Sequence, residues 1–299
     1  PNIILSPRAL LRMKRVLERE RFDVLHLHEP MTPIPCIAAL ALWDGPMVGT
    51  HHASGDLGWM RLATPVWGFL EERLDRRIAV SEQARASAQR WLPGEYEIVP
   101  NGVLIPEHAD PAGREHRFVF AGRHEPRKGL QVLLRAWPEV RRRTGARLRI
   151  AGADPLAVRL LLTRLRIPDD GIDLLGFLSQ DDLTAELSAA KALVAPSLGG
   201  ESFGMVLTRA FACATPVVAS DIPGYRDVMT PETSVAVPPD DPQALAEALV
   251  ALAGDEERRA ALGAAGRQLA VERYSWDDIG RRLLRLYEDV TGLQPAVAA

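Results

Sequence analysis

Residues 118–143 read FVFAGRHEPRKGLQVLLRAWPEVRRR. A short apolar run, Phe118–Ala121, leads into a turn rich in glycine, proline and charge. Leu130–Arg143 follows, with apolar residues at helical spacing. Strand, turn and helix in that order make the unit from which parallel sheets are built. The unit recurs in both directions along the chain. Buried strands are predicted at Val24–Leu27, Met47–Thr50, Arg77–Val80, Glu97–Val99, Leu148–Ala151, Ile172–Leu175, Ala192–Ala195, Pro216–Ala219 and Val235–Val237. Helical stretches such as Ser202–Cys213 lie between them. The alternation predicts an α/β protein whose parallel sheets are covered on both faces.

One stretch breaks the rhythm. Leu104–His116 (LIPEHADPAGREH) carries two prolines, a glycine and many charges without periodicity, and reads as a linker. It divides a first domain, residues 1–104, from a second, residues 112–274. A final amphipathic helix, Trp276–Val290, gathers Ile279, Leu283, Leu284 and Leu286 near one face and is expected to close one of the two. The first domain opens on Asn2–Leu5 and runs straight into a basic helix, with no Gly-rich phosphate turn before it, so it is expected to be truncated.

Composition narrows the function. With 47% apolar and 25% charged residues, the 299-residue chain has the make-up of a soluble protein with a sizeable core. A net charge of −3 gives no general pull toward nucleic acid. Cys36 and Cys213 make no disulfide framework and have no metal-ligand spacing, which fits a reducing cytoplasm. The longest apolar run, Ile34–Trp43, is too short to span a bilayer.

Two turns carry chemistry. In Ser197–Gly204 (SLGGESFG) a strand ends, glycines turn and a helix is expected to start near Ser202. Helix N-termini at the carboxyl ends of parallel strands point unpaired N–H groups at ligands. Glu201 in that turn can accept hydrogen bonds from sugar hydroxyls; the plain alternative is an ordinary helix entry with a favourable acidic residue. In the turn after Phe118–Ala121 stand Arg123, Arg127 and Lys128. They can compensate the charge of a diphosphate leaving group without a metal. Lysine is a rare choice here, since the chain has three against a large excess of arginines. The alternative is a solvated loop.

In the first domain, His28-Glu29-Pro30 and His51-His52-Ala53-Ser54 end two predicted strands and face the sheet's carboxyl edge. Adjacent histidines on a strand point to opposite faces, so no zinc site is expected. The N-terminal helix alternates Arg8, Arg12, Lys14, Arg15 and Arg19 with Leu10, Leu11, Met13, Val16 and Leu17. It suits either an anionic membrane surface or a solvated face over the core.

Together these segments resemble the GT-B retaining glycosyltransferases, the family that includes phosphatidylinositol mannosyltransferases and sucrose synthases. The likeness is strongest to the actinobacterial phosphatidylinositol mannosyltransferases. It rests on Phe22–Pro30 (FDVLHLHEP), Ile78–Ser81, Pro100–Val103, Glu125–Gly129, Gly199–Gly204 and Pro216–Asp221, in that order over nearly the whole chain. The resemblance implies two Rossmann-like domains facing across a cleft, with the last helix, residues 275–291, crossing back to the first. It implies transfer of a hexose, by closest likeness mannose from GDP-mannose, to an acceptor such as phosphatidylinositol. Arg123 and Lys128 would hold the diphosphate. Glu201, Gly200 and the N–H groups of Ser202, Phe203 and Gly204 would hold the sugar, and Gly176 and Leu178 would contact the base. His52 matches the active-site histidine near the sugar. No metal cofactor is implied, and Arg12, Lys14 and Arg15 match a membrane-contact helix, which would place the protein on the inner face of the plasma membrane.

Three departures stand against the likeness. The family repeats a glutamate eight residues after the first, to grip the ribose; Arg209 stands there. A guanidinium only donates, so those bonds are lost, at about 2–4 kcal/mol of donor binding. The helix reads Arg209–Ala214 (RAFACA) where the family has a small, glycine-ended stretch, and the first strand with its Gly-rich loop is missing. A UDP-sugar donor, a non-catalytic relative that keeps the fold to bind a nucleotide, lipid or partner, and a fragment of a larger enzyme therefore stay open.

Overall fold

A computed structural model describes residues 7–30, 34–53, 68–109 and 114–293. The chain forms two units, residues 1–101 with 277–299, and residues 102–276. The predicted stretch Asn2–Leu5, Ser54 and the middle of the predicted linker lie outside the described residues.

The first unit holds a four-stranded parallel sheet, β1 (Leu25–His28), β2 (Met47–His51), β3 (Arg76–Ala79) and β4 (Glu97–Ile98), in sequential order. Every residue of β2 is buried, as an apolar central parallel strand requires. Alternation of side chains then divides the core. Met47 faces Leu27, Leu40 and Leu74 on one side, and Val48 faces Ile78 and Val99 on the other. That second face is covered by Ile279 and Leu286 of the Trp276–Thr291 helix. The last helix therefore closes the first sheet, a choice its amphipathic pattern leaves open.

The second unit holds six parallel strands, β5 (Glu115–Ala121), β6 (Arg147–Ala151), β7 (Ile172–Gly176), β8 (Ala190–Ala195), β9 (Val217–Ser220) and β10 (Ser234–Val237). Their order is β10-β9-β8-β5-β6-β7, the doubly wound arrangement. Its core is built from Phe118, Phe120, Leu133, Trp137, Leu148 and Ile150, all buried to within a few per cent. The chain moves outward from β5 in one direction, through β6 and β7, then returns to β8 and moves outward in the other. The gap between β5 and β8 is the switch point, where loops leave the sheet in opposite directions and open a crevice.

Two boundaries differ from the sequence reading. The predicted linker ends sooner, because Glu115 and His116 are the exposed first residues of β5. The predicted Ser202–Cys213 helix begins only at Met205. Gly204 takes a left-handed φ of 88° at its N-cap, a conformation that a helix cannot contain, so Ser202 and Phe203 remain in the turn.

Candidate functional site

The loops after β5 and β8 lie against each other at the switch point. Leu198 N–H donates to Arg127 O at 2.7 Å. Gly129 has φ 66°, and a Cβ there would stand 1.8 Å from Pro196 O, so only glycine permits this approach. The joined loops bring a row of alternating charges together. Arg123 Nη2 meets Glu125 Oε1 at 2.9 Å, and Arg127 Nε meets Glu125 Oε2 at 2.8 Å. Arg127 Nη1 then meets Glu201 Oε1 at 2.9 Å, and Lys128 Nζ meets the same oxygen at 2.8 Å.

Glu201 is buried, which a carboxylate tolerates only when several donors surround it. Ser197 Oγ supplies a third, at 3.2 Å, and is itself held 2.8 Å from the Tyr225 hydroxyl. Burial, and the nearby Glu201 charge, push the Tyr225 phenol up, so it stays protonated. Gly224 lies under the Glu201 backbone, where a Cβ would stand 1.8 Å from Glu201 O. Arg127 also donates to Gly200 O at 3.1 Å, which pins the turn ahead of Glu201. The turn ends at the N-terminus of the Met205–Ala212 helix, whose first N–H groups have no partners within the helix. This arrangement places cations, an acidic acceptor and a positive helix end together, which suits a ligand with an anionic part and a hydroxylated part.

The other predicted residues have distinct places. Phe203 turns its ring into the core, edge-on to Tyr274 at 5.6 Å, so only its backbone remains for a ligand. Gly176 closes β7 with φ 66° and accepts from Gly152 N–H at 2.7 Å, and half-buried Leu178 follows the strongly exposed Phe177. Arg209 is half-buried, about one and a half turns along the helix from Gly204, and has no ion pair among the described residues. Arg123 is the outermost cation of the row, with 73% of its side chain exposed. Ser197 and Tyr225 are the contributors the sequence reading did not single out as ligand-binding, while Arg127, read with Arg123 and Lys128 as a cation of the loop, meets Glu201. Ser197 opens the quoted Ser197–Gly204 stretch, but Tyr225 comes from the short Pro223–Arg226 helix after β9 and carries no local signal.

The first unit gathers histidines at the carboxyl ends of β1 and β2. His28 Nδ1 and His52 Nε2 are hydrogen-bonded at 2.8 Å, with stacked rings. His26 stacks on His28 with centroids 4.5 Å apart, and is held by Thr50 Oγ1 at 2.6 Å and the Tyr287 hydroxyl at 2.5 Å. Burial, followed by the neighbouring imidazoles, lowers His26 and His52 to about 4, so both are neutral at neutral pH. His51 points away from His52 and lies 3.4 Å from the fully buried Glu71, beside Arg77. Burial lowers His51 to about 4 and raises Glu71 to about 7. The opposite facing of His51 and His52 is what strand alternation predicts.

The Pro7–Glu20 helix exposes Arg12, Lys14 and Arg15, and Leu11 and Val16 with them, while Leu17 is buried. Lys14 shares a bridge with Glu18 at 3.7 Å. No helix among the described residues is long and apolar enough to cross a membrane.

The family model described as "Glycosyl transferases group 1" matches residues 115–255, and that described as "Glycosyltransferase Family 4" matches residues 1–105. The phosphatidyl-myo-inositol mannosyltransferase of Mycobacterium leprae is 37% identical over 95% of this chain and 78% of its own length. That of Mycolicibacterium smegmatis is 37% identical over 96% of this chain and 76% of its own. Among solved structures, a sucrose-phosphate synthase from Thermosynechococcus elongatus superposes with a TM-score of 0.80 at 23% identity, covering 96% of this chain and 78% of that one. Anabaena HepE with UDP and glucose gives 0.78 at 18% identity, over 94% of this chain and 81% of that one. These two likenesses concern the fold, which is the GT-B arrangement.

Proposed function

Since the chain belongs to the group 1 glycosyltransferases, we propose that it transfers mannose from GDP-mannose to a phosphatidylinositol-type lipid, with retention at the sugar carbon. The observation that carries this reading is the meeting of Lys128 and Arg127 with Glu201 on one carboxylate oxygen at the β5/β8 switch point. A nucleotide sugar has its charge and its hydroxyls joined through one anomeric oxygen. A cation and a carboxylate already within a hydrogen bond of each other can take hold of both sides of that oxygen.

Arg123, Arg127 and Lys128 neutralise the diphosphate, with the helix N-terminus beside them. Glu201 accepts hydrogen bonds from the sugar. The acceptor oxygen attacks the anomeric carbon from the face the diphosphate leaves. The carbon–oxygen bond breaks with its electron pair going to phosphate, and a phosphate oxygen takes the acceptor proton. His52 orients the sugar at the reacting centre. Side-chain cations supply the charge compensation, so no metal is called for. Arg12, Lys14 and Arg15 bring the protein to the anionic inner face of the plasma membrane as a peripheral protein.

Arg209 favours a second reading, a relative that binds a nucleotide but transfers nothing. A half-buried guanidinium, with no ion pair among the described residues, replaces a carboxylate that would accept from ribose. One assay separates the two readings. Radiolabelled GDP-mannose is incubated with the protein and phosphatidylinositol vesicles in EDTA, with UDP-glucose as the comparison donor. Label in the lipid phase from GDP-mannose alone is the expected outcome. No transfer from either donor overturns the proposal, and transfer only with added divalent metal overturns its metal-free part.

A further inference from the structure

His52 directly follows β2, and its backbone and its ring are both held. The holding groups come from one place, the turn that ends β1. Glu29 has φ 55°, a left-handed conformation rarely adopted outside glycine. Such strain is kept where the surroundings demand it. Here it is tied by Glu29 N–H to Thr50 O at 2.8 Å, and it turns the carboxylate back across the end of β2. Glu29 Oε1 accepts from the backbone N–H of His52 and from that of Ala53, the latter at 2.6 Å. One carboxylate oxygen thus fixes two successive amides, while His28 next to it in sequence takes Nε2 of the His52 ring.

The His28 ring is itself braced. Its other neighbour is His26, two residues earlier on the same face of β1, held at both nitrogens by Thr50 and Tyr287. With Nε2 of His52 occupied, Nδ1 is the ring nitrogen left for a ligand among the described residues. A hydrogen bond between two neutral imidazoles contains a single proton, so the state of His28 decides whether Nδ1 of His52 donates or accepts.

We propose that His28 and Glu29 are positioning residues for His52: Glu29 fixes its backbone, and His28 fixes its ring rotamer and tautomer, so that Nδ1 alone meets the substrate. This rests on the reading of His52 as an active-site group, but its test does not depend on transfer. Protein labelled with 15N in its histidine rings is compared by long-range 15N–1H spectra as wild type, H28A and H28N, with H52A assigning the signals. Wild type is expected to show His52 in one neutral tautomer. H28A is expected to average the two tautomers, and H28N, whose amide stands near the lost Nδ1, to restore one. An unchanged His52 ring in H28A overturns the proposal.

Kinetics give the second readout. H28A and E29A are expected to lower kcat by about tenfold or more with the donor KM within about twofold of wild type, and H28N and E29Q to recover most of it. Equal loss in the conservative variants at unchanged thermal midpoint overturns the positioning role. A wild type that transfers nothing sinks the transferase reading alone, and the ring spectra then decide this one.

Discussion

Glu201 and Lys128 show how much a single residue choice reveals. Lysine is rare in this chain, and a glutamate among glycines at a strand end invites a ligand; the two side chains meet at 2.8 Å. That part of the site was legible because each residue sits in a turn whose neighbours announce it. Ser197 and Tyr225 were not, since their contribution depends on β8 and β9 lying side by side, a tertiary fact. Phe203 divides its roles: its ring serves the core, and only its backbone N–H, the part the resemblance implies for the sugar, is left in the turn. Arg209 is the residue that most opposes activity. Replacing it with glutamate restores an acceptor on the helix, and Arg209→Glu is expected to tighten GDP binding by about tenfold in calorimetry. Unchanged affinity would show that this position does not face the ribose.

At the scale of elements, all ten predicted strands are present, because buried parallel strands are short continuous apolar runs. The two misjudged boundaries have different causes. Charged Glu115 and His116 look like linker but begin β5, and the Met205–Ala212 helix is delayed by a glycine whose φ no propensity shows. The histidine elements of the first unit predict a pH response. His26, His51 and His52 hold protons only below about 4 in the fold, against 6.5 for a free imidazole. Between these values the unfolded chain binds protons that the fold excludes, so stability falls as pH drops from 6.5 toward 4. Glu71, raised to about 7 from 4.5, acts the other way and loses its contribution as pH rises through that window. Three rings outweigh one carboxyl. Urea unfolding followed by tryptophan fluorescence is expected to show stability rising by on the order of 2 kcal/mol per pH unit between pH 4.5 and 6.5. A flat profile would mean the rings titrate normally. The basic helix makes its own prediction: the protein floats with anionic vesicles at low salt, and R12A/K14A/R15A does not. Flotation that is indifferent to this triple variant would leave the helix a solvated face.

At the scale of the whole molecule, each unit carries its polar cluster at the carboxyl ends of parallel strands, which is where open α/β sheets expose ligands. The α/β class could be read from alternation, and the division of the chain from the break in it at Leu104–His116. The sheet order of the second unit could not, because it is set by which crossovers pack rather than by any segment's pattern; it matters most, since it brings the loops after β5 and β8 together. That juxtaposition is tested most directly by titrating GDP and GDP-mannose calorimetrically into wild type, Lys128→Ala and Glu201→Ala. Removing the lysine is expected to weaken both ligands by about tenfold or more, whereas removing the glutamate weakens GDP-mannose and spares GDP. Wild-type affinities for both ligands in both variants would place the donor somewhere else on the protein.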